Sequence, residues 1–405
     1  MNGDRAPLLL LLFATVTAGA GNGISIVAFP WLALQHNGSA SAAAVVATAG
    51  TVPLLASTLL AGAAVDYLGR RRVSMLSDAL SGLSVAMVPV LVLLCGAGAI
   101  NVLSLSALAA LGAVFDPAGM TARISMLPEA AERAGWSLDR ANGGYQAAFN
   151  LAYIVGPGIG GVLIATLGGA QTMWVTAGLF VAALLAVGMI RLAGAGRPDR
   201  AKLPERLWPG IVEGLRFVWH NRVLRTLAAV DLIINGLYVP IESVLFPKYF
   251  TDRGQPQQLG WVLMALATGG LIGALGYAVT ARHLPRRSTL IAAMLTLGVT
   301  TTVIAFLPPL PLILVLSLLV GLVYGPIGPI YNYVMQTRAP AQLRGRVVGV
   351  MGSLAYAAGP VGLIIAGPLA DAAGLTVTFL ALSVPMLAVG LASLALPSLR
   401  ELDRR

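Results

Sequence analysis

The chain has 405 residues, of which 57% are hydrophobic and 10% charged, with a formal net charge of +10. Soluble domains carry about a quarter charged residues, so no stretch here can cover a water-exposed domain, and an ordinary soluble enzyme is excluded. The single cysteine, Cys95, excludes an intramolecular disulfide and multi-thiolate metal clusters, and neither lysine, Lys202 or Lys248, sits in a phosphate-cradling loop. No metal, cofactor or ATP-driven step is therefore expected. The basic residues are scattered in short clusters between apolar runs, the pattern of topology signals facing anionic lipid rather than of a nucleic-acid surface.

A spanning helix needs about 20 apolar residues. Twelve such segments are predicted, at 8–34, 42–65, 73–94, 101–118, 143–165, 172–190, 226–247, 259–280, 288–307, 311–335, 347–369 and 375–396. The first follows only one positive residue, Arg5, and is too long for a signal-peptide core, so it reads as retained. With the N-terminus inside, the outer loops hold only Lys248 and Arg253 of the 26 basic residues. Lys and Arg near helix ends stay on the cytoplasmic side, which predicts that both termini are cytoplasmic and that the protein is a multi-pass component of the cytoplasmic (inner) membrane.

The longest polar stretch, 191–225, divides the chain into residues 1–192 and 226–405, with a cytoplasmic linker over 193–225. In its second half Trp208, Ile211, Val212, Leu215, Val218 and Trp219 recur at helical spacing, while Arg216, Arg222 and Arg225 can face water or phosphate. That pattern predicts a helix lying in the membrane interface. The two halves echo each other. Leu151-Ala-Tyr-Ile-Val-Gly-Pro157 recurs as Leu354-Ala-Tyr-Ala-Ala-Gly-Pro360, and basic loops follow the second helix of each half at 69–72 and 282–287. The predicted fold class is all-α integral membrane, with twelve helices in two pseudo-symmetric six-helix bundles, an architecture in which substrate binds near the midplane of a rocking secondary transporter.

Ionisable groups inside a span are costly and are functional candidates by default. Asp78, Asp116, Asp231 and Glu242 qualify; the three histidines fall in loops. On the seventh segment Asp231, Asn235, Tyr238 and Glu242, at i, i+4, i+7 and i+11, return to nearly one face, giving a polar stripe that reads as cavity lining or as a hydrogen-bonded seam beside a Pro240 kink. Glu242 is the first choice for a proton or cation-substrate site, Asp231 the second, since it can also pair with Arg222 or Arg225. Asp116, before Pro117, is a third proton-coupling candidate, with a local turn or a pairing with Arg123 as the alternative. Asp78 is assigned to packing near the inner surface. Asn22 in the first segment, Gln146, Asn150 and Tyr153 in the fifth, and Tyr324, Tyr331 and Asn332 in the tenth complete the cavity candidates.

Two motifs resemble the major facilitator superfamily, and within it the drug/proton antiporters. Gly62-Ala-Ala-Val-Asp66-Tyr67-Leu-Gly69-Arg70-Arg71 is similar to G-x-x-x-D-[RK]-x-G-R-[RK] after the second helix, and Gly156-Pro157-Gly-Ile-Gly160-Gly161 to the antiporters' GP-x-x-GG. Phe115-Asp-Pro-Ala, Glu213-Gly-Leu-Arg-Phe-Val-Trp219 and Leu343-Arg-Gly-Arg-Val347 read like that group's drug exporters. The resemblance implies the superfamily fold and proton-coupled antiport of amphipathic drugs, tetracycline and aminoglycosides among them, driven by the proton gradient. It also implies a cytoplasmic gate in which Asp66 meets Arg70 or the N-terminus of segment eleven, and a tightly packed, bent segment five. Tyr67 stands where the motif is usually basic, Asn22 where some relatives carry an acid, and segment four lacks their intramembrane arginine. An exporter of a lipid or lipid-like metabolite, carrying drugs incidentally, is the alternative. No zinc-binding H-E-x-x-H, Ser/His/Asp arrangement or nucleotide loop points to an enzyme.

Overall fold

The computed structural model describes residues 4–192, 207–280, 284–340 and 343–402. The linker stretch 193–206, with Lys202, and His283 lie outside the described residues. All regular structure among the described residues is helical, as a bilayer requires of any chain whose backbone must satisfy its own hydrogen bonds. Twelve helical stretches there are long and apolar enough to cross a membrane.

Two compact units emerge, one formed by Met1–Gly38 with Val46–Leu207, the other by Ser39–Val45 with Trp208–Arg405. In the first, α1 (Ala6–Asn37), α2 (Ala40–Leu68), α3 (Arg70–Cys95), α6 (Leu138–Leu167) and α7 (Gly169–Met189) are single spans, whereas the fourth span is built from α4 (Val102–Ala113) and α5 (Asp116–Ala134), separated by a turn at Val114 and Phe115. In the second unit α8 (Leu207–His220) precedes the spans and exposes Val212, Leu215 and Trp219 along its length. The seventh span comprises α9 (Arg222–Pro240), a π-helical turn at Ile241–Leu245 and α10 (Phe246–Thr251). α11 (Pro256–Thr280) and α12 (Arg286–Ile304) follow; the tenth span is broken into α13 (Leu310–Tyr324) and α14 (Ile327–Arg338); α15 (Arg344–Ala373) and α16 (Leu375–Ala395) close the unit.

The fourth span differs from its sequence-based bounds. It runs from Val102 to Ala134, not to 118, because the helix resumes at Asp116 and continues through residues polar enough to resemble a loop. Asp116 occupies the first turn of α5, where the positive end of the helix dipole favours a carboxylate, and Pro117 fits beside it because the first helical amides need no intrahelical partner. Arg123 is consequently an intramembrane arginine, 6% exposed, rather than a cytoplasmic loop charge.

Each unit brings its first and fifth spans together through small residues. In the first unit a Cβ on Gly156 would lie 2.9 Å from the Ala20 carbonyl oxygen and 3.0 Å from Gly23 Cα, and one on Gly160 would lie 3.1 Å from Ile24 Cα. In the second unit Gly236 of α9 sits against Ala358, and Gly362 of α15 abuts the Gly236 carbonyl. Such contacts let backbones approach more closely than any larger side chain permits. Substituting Gly156 by Val is therefore expected to destabilise the purified protein by about 1–3 kcal/mol through overpacking, whereas Gly62→Ala, with open space around it, leaves the thermal transition in detergent unchanged; equal transitions for the two variants would contradict the packing role.

Candidate functional site

The first unit holds a narrow polar cavity lined by Thr15, Asn22, Ser77, Asp116, Arg123 and Tyr153, with Tyr145 and Phe149 closing its wall. Asn22 Nδ2 donates to Asp116 Oδ2 at 3.0 Å, joining α1 to the restart of the fourth span. Arg123 pairs with Asp78 of α3, and its Nε also donates to Ser74 Oγ at 3.2 Å. Asp116 thus bonds Asn22 and stands within electrostatic range of Arg123, and Asp78, assigned from the sequence to packing, is the counter-ion of a buried guanidinium. Charge counting around this cavity gives two carboxylates and one guanidinium. Asp78 pairs with Arg123, and Asp116 bonds a neutral amide with the same guanidinium within electrostatic range.

Gln146 Nε2 donates to Asn150 Oδ1 at 3.0 Å along α6. Tyr153 lies with its ring centroid 4.6 Å from that of Phe149, reaching the cavity that Gln146 and Asn150 do not line. Of the antiporter-like motif, Gly156 and Gly160 make the close approach to α1, Pro157 lies within α6, and Gly161 follows on the same helix. In the other motif Asp66 sits in the last turn of α2, Gly69 takes a φ of +88° that glycine adopts without strain, and Arg70 opens α3. Arg71 donates to the Gly188 carbonyl oxygen, tying α3 to the end of α7.

The second unit assembles the seventh-span stripe with residues of two other spans. Asn235 Nδ2 donates to the Asp231 carbonyl oxygen at 2.9 Å and to Asp231 Oδ1 at 3.1 Å, so the carboxylate is held by its own helix rather than by Arg222 or Arg225. The Tyr331 hydroxyl donates to the Leu227 carbonyl oxygen at 3.3 Å and stands within electrostatic range of Asp231. Tyr324 neighbours Asp231, Asn235, Glu242 and Tyr356, and Tyr238 neighbours Glu242 and Tyr324. Glu242 lies in the π-helical turn after Pro240, whose extra residue per turn re-aims the side chain, a distortion found most often at functional sites. Asn332 is exposed on α14.

The halves match residue by residue at these places. Asn22-Gly23 of the first span corresponds to Asn235-Gly236 of the seventh, and Phe115-Asp-Pro117 of the fourth to Tyr324-Gly-Pro326 of the tenth. In each unit the asparagine holds a carboxylate, and in each the fourth helix of the half is interrupted beside the matching proline. Gly/Pro-interrupted spans at corresponding positions of two repeats are the strongest local pointer to a transporter's binding region. The repeat of Phe-x-Pro and Tyr-x-Pro is the signal that carries the fourth span past residue 118 and reveals Arg123 as intramembrane.

The Major Facilitator Superfamily model matches residues 11–363 and again 243–404. The chain belongs to the major facilitator superfamily. It is 71% identical over 402 residues, 99% of this chain and 98% of the relative, to the multidrug efflux pump Tap of Mycolicibacterium fortuitum, and 64% identical over 402 residues, 99% and 96% of the two chains, to that of Mycobacterium tuberculosis H37Rv. The solved nucleoside transporter NupG superposes with a TM-score of 0.77 at 11% identity, covering 96% of this chain and 98% of the other, which establishes the shared fold. The protein is a multi-pass membrane transporter of this superfamily.

A buried ion pair that loses one member leaves the other charge uncompensated. Asp78→Asn is expected to cost about 3–5 kcal/mol of stability, and the double change Asp78→Leu with Arg123→Met to recover most of it. Detergent-solubilised unfolding would measure both; a single variant as stable as the native protein would contradict the pairing.

Proposed function

We propose that the protein is a proton-coupled multidrug exporter of the cytoplasmic membrane, exchanging protons for amphipathic, often cationic drugs such as tetracycline, with aminoglycosides in its range. The observation that carries this reading is the excess of carboxylates over cations at membrane depth. Asp116, Asp231 and Glu242 face amides and phenols, while the intramembrane guanidinium of Arg123 is already matched by Asp78. A carboxylate without a counter-ion in a low-dielectric site is neutral only with a proton bound, or balanced only with a cationic ligand beside it. A proton and a cationic drug that compete for such a group cannot occupy it together, and this exclusion makes their movements opposite in direction. Alternating access then needs only that the two facing states differ in affinity for drug and for proton. Neutral Asn22, Asn235, Tyr238, Tyr324 and Tyr331 would position the carboxylates and offer hydrogen bonds to varied polar groups, which suits a broad substrate range. The 71% identity to a multidrug efflux pump supports the same reading. Asp66, Gly69 and Arg70 act in the cytoplasmic gate.

One feature favours the export of a lipid-like metabolite instead. An apolar groove between α2 and the fourth span, lined by Pro53, Ser57, Leu60, Tyr67 and Phe115, provides a flank against which an acyl chain can lie.

In proteoliposomes with an acidic lumen, labelled tetracycline is expected to accumulate in the native protein and to fail to accumulate with Glu242→Gln, with Asp231→Asn retaining partial uptake. Tetracycline entry that is independent of the pH gradient would overturn proton coupling; no entry, together with extraction of labelled lipid, would favour the metabolite reading.

A further inference from the structure

The helix α8 and the start of α15 belong to the same compact unit and fit together through two glycines. A Cβ on Gly210 would lie 3.1 Å from Arg346 Nε, and one on Gly214 would lie 3.2 Å from the Arg346 carbonyl oxygen, so the Gly210-x-x-x-Gly214 face is closed against Arg346. Glu213, beside that face, pairs with the Arg346 guanidinium. The seat turns two residues of the apolar sequence pattern inward, since Val218 is buried and Ile211 half-buried.

What remains on the outer side is a mixed strip. Val212, Leu215, Arg216 and Trp219, at i, i+3, i+4 and i+7, share one face opposite the two glycines, and all four are exposed. Arg216 therefore stands within the apolar strip rather than across the helix from it. The strip ends where the seventh span begins. Asn221 separates the two helices, its Oδ1 accepting from the Val223 and Leu224 amides at 3.1 Å, and the span runs from Arg222. Arg225, in the first turn of that span, donates to the Trp219 carbonyl oxygen at 3.3 Å and holds its guanidinium carbon 5.9 Å from the centre of the Trp219 ring. Arg216 and Arg222 form no ion pair among the described residues, and Glu213, the acid of α8, is already taken by Arg346.

We propose that this strip is a docking site for anionic phospholipids, with acyl chains against Val212, Leu215 and Trp219 and lipid phosphates on Arg216, Arg222 and Arg225. A surface facing water would suit the arginines and leave the apolar side chains wet, while a purely hydrocarbon contact would leave the guanidinium groups unmatched. The boundary between acyl chains and headgroups satisfies both. There the stem of Arg216 lies along its apolar neighbours while the charged end reaches phosphate, and an indole sits at its preferred depth. A zwitterionic lipid brings its own ammonium to the phosphate; three cations gathered at the entry of one span favour the lipid whose phosphate charge is uncompensated. Lipid on the outer side of α8 and the Glu213–Arg346 pair on its inner side then hold the helix from both faces. The site needs only that the seventh span crosses a membrane and rests on no transport reading.

The test uses the full chain reconstituted in phosphatidylcholine vesicles and follows tryptophan quenching by lipids brominated on their acyl chains. The difference between the native protein and Trp219→Phe isolates the signal of Trp219. Brominated phosphatidylglycerol should half-quench that signal at a lower mole fraction than brominated phosphatidylcholine does. Arg216→Gln should raise the phosphatidylglycerol mole fraction needed by up to about fivefold, the share of one basic side chain near an anionic surface. Changing Arg216, Arg222 and Arg225 together to Gln should make the two curves coincide, with Trp219 still quenched because the apolar strip remains. Should the triple variant fail to fold, Arg216→Gln decides alone, an unchanged preference there counting against the proposal. Coincident curves in the native protein would overturn the anionic-lipid assignment. Trp219 quenched by aqueous iodide and by neither brominated lipid would overturn the docking site itself.

Discussion

Water is absent at membrane depth, and every group that water would have satisfied must find its partner within the protein. The backbone meets this demand by being helical along the described spans, apart from the turns that break the fourth and the tenth. Side-chain charges meet it one at a time. Arg123 and Asp78 neutralise each other, with Ser74 taking up a further guanidinium donor. Asp116 and Asp231 accept from asparagine amides, with Tyr324 and Tyr331 near Asp231, and Glu242 has phenols nearby. In the proposed cycle the matched pair is structural, while the unmatched acids are the groups whose charge is completed by a proton or a drug.

How those acids are held follows from close helix packing. Gly23 and Gly156 in one unit, and Gly236 and Gly362 in the other, bring the first and fifth spans of each half into backbone contact. The asparagine that holds the carboxylate is the residue just before the packing glycine in both cases, Asn22 before Gly23 and Asn235 before Gly236. The tight seam therefore fixes the position of the polar group beside it. The fourth and tenth spans are interrupted at Phe115-Asp-Pro117 and Tyr324-Gly-Pro326. Both halves use one plan with different acids, Asp116 in one and Asp231 in the other.

Much of this was legible in the amino-acid sequence. Apolar length alone places all twelve spans, because hydrophobic thickness is a strong constraint and the alternation of basic loops checks the count. The seventh-span stripe was legible for the same reason that helices are periodic. Two things were not. The fourth span was cut short because hydropathy penalises Asp116, Thr121 and Arg123 individually and cannot see that Asn22 and Asp78, distant in the chain, partner two of them. The π-helical turn at Ile241–Leu245 is a backbone choice beside Pro240 that periodicity cannot anticipate.

In the proposed cycle, unmatched carboxylates at membrane depth exchange a proton for a drug. The most direct test follows proton movement itself, in vesicles carrying the reconstituted protein and a trapped pH-sensitive dye, with no gradient imposed. When labelled tetracycline is added outside, its inward movement should drive protons out, and the lumen should turn alkaline in step with drug entry. That coupling should vanish in the Asp116→Asn, Asp231→Asn, Glu242→Gln triple variant. Drug entering the native vesicles with no change in luminal pH would contradict the account.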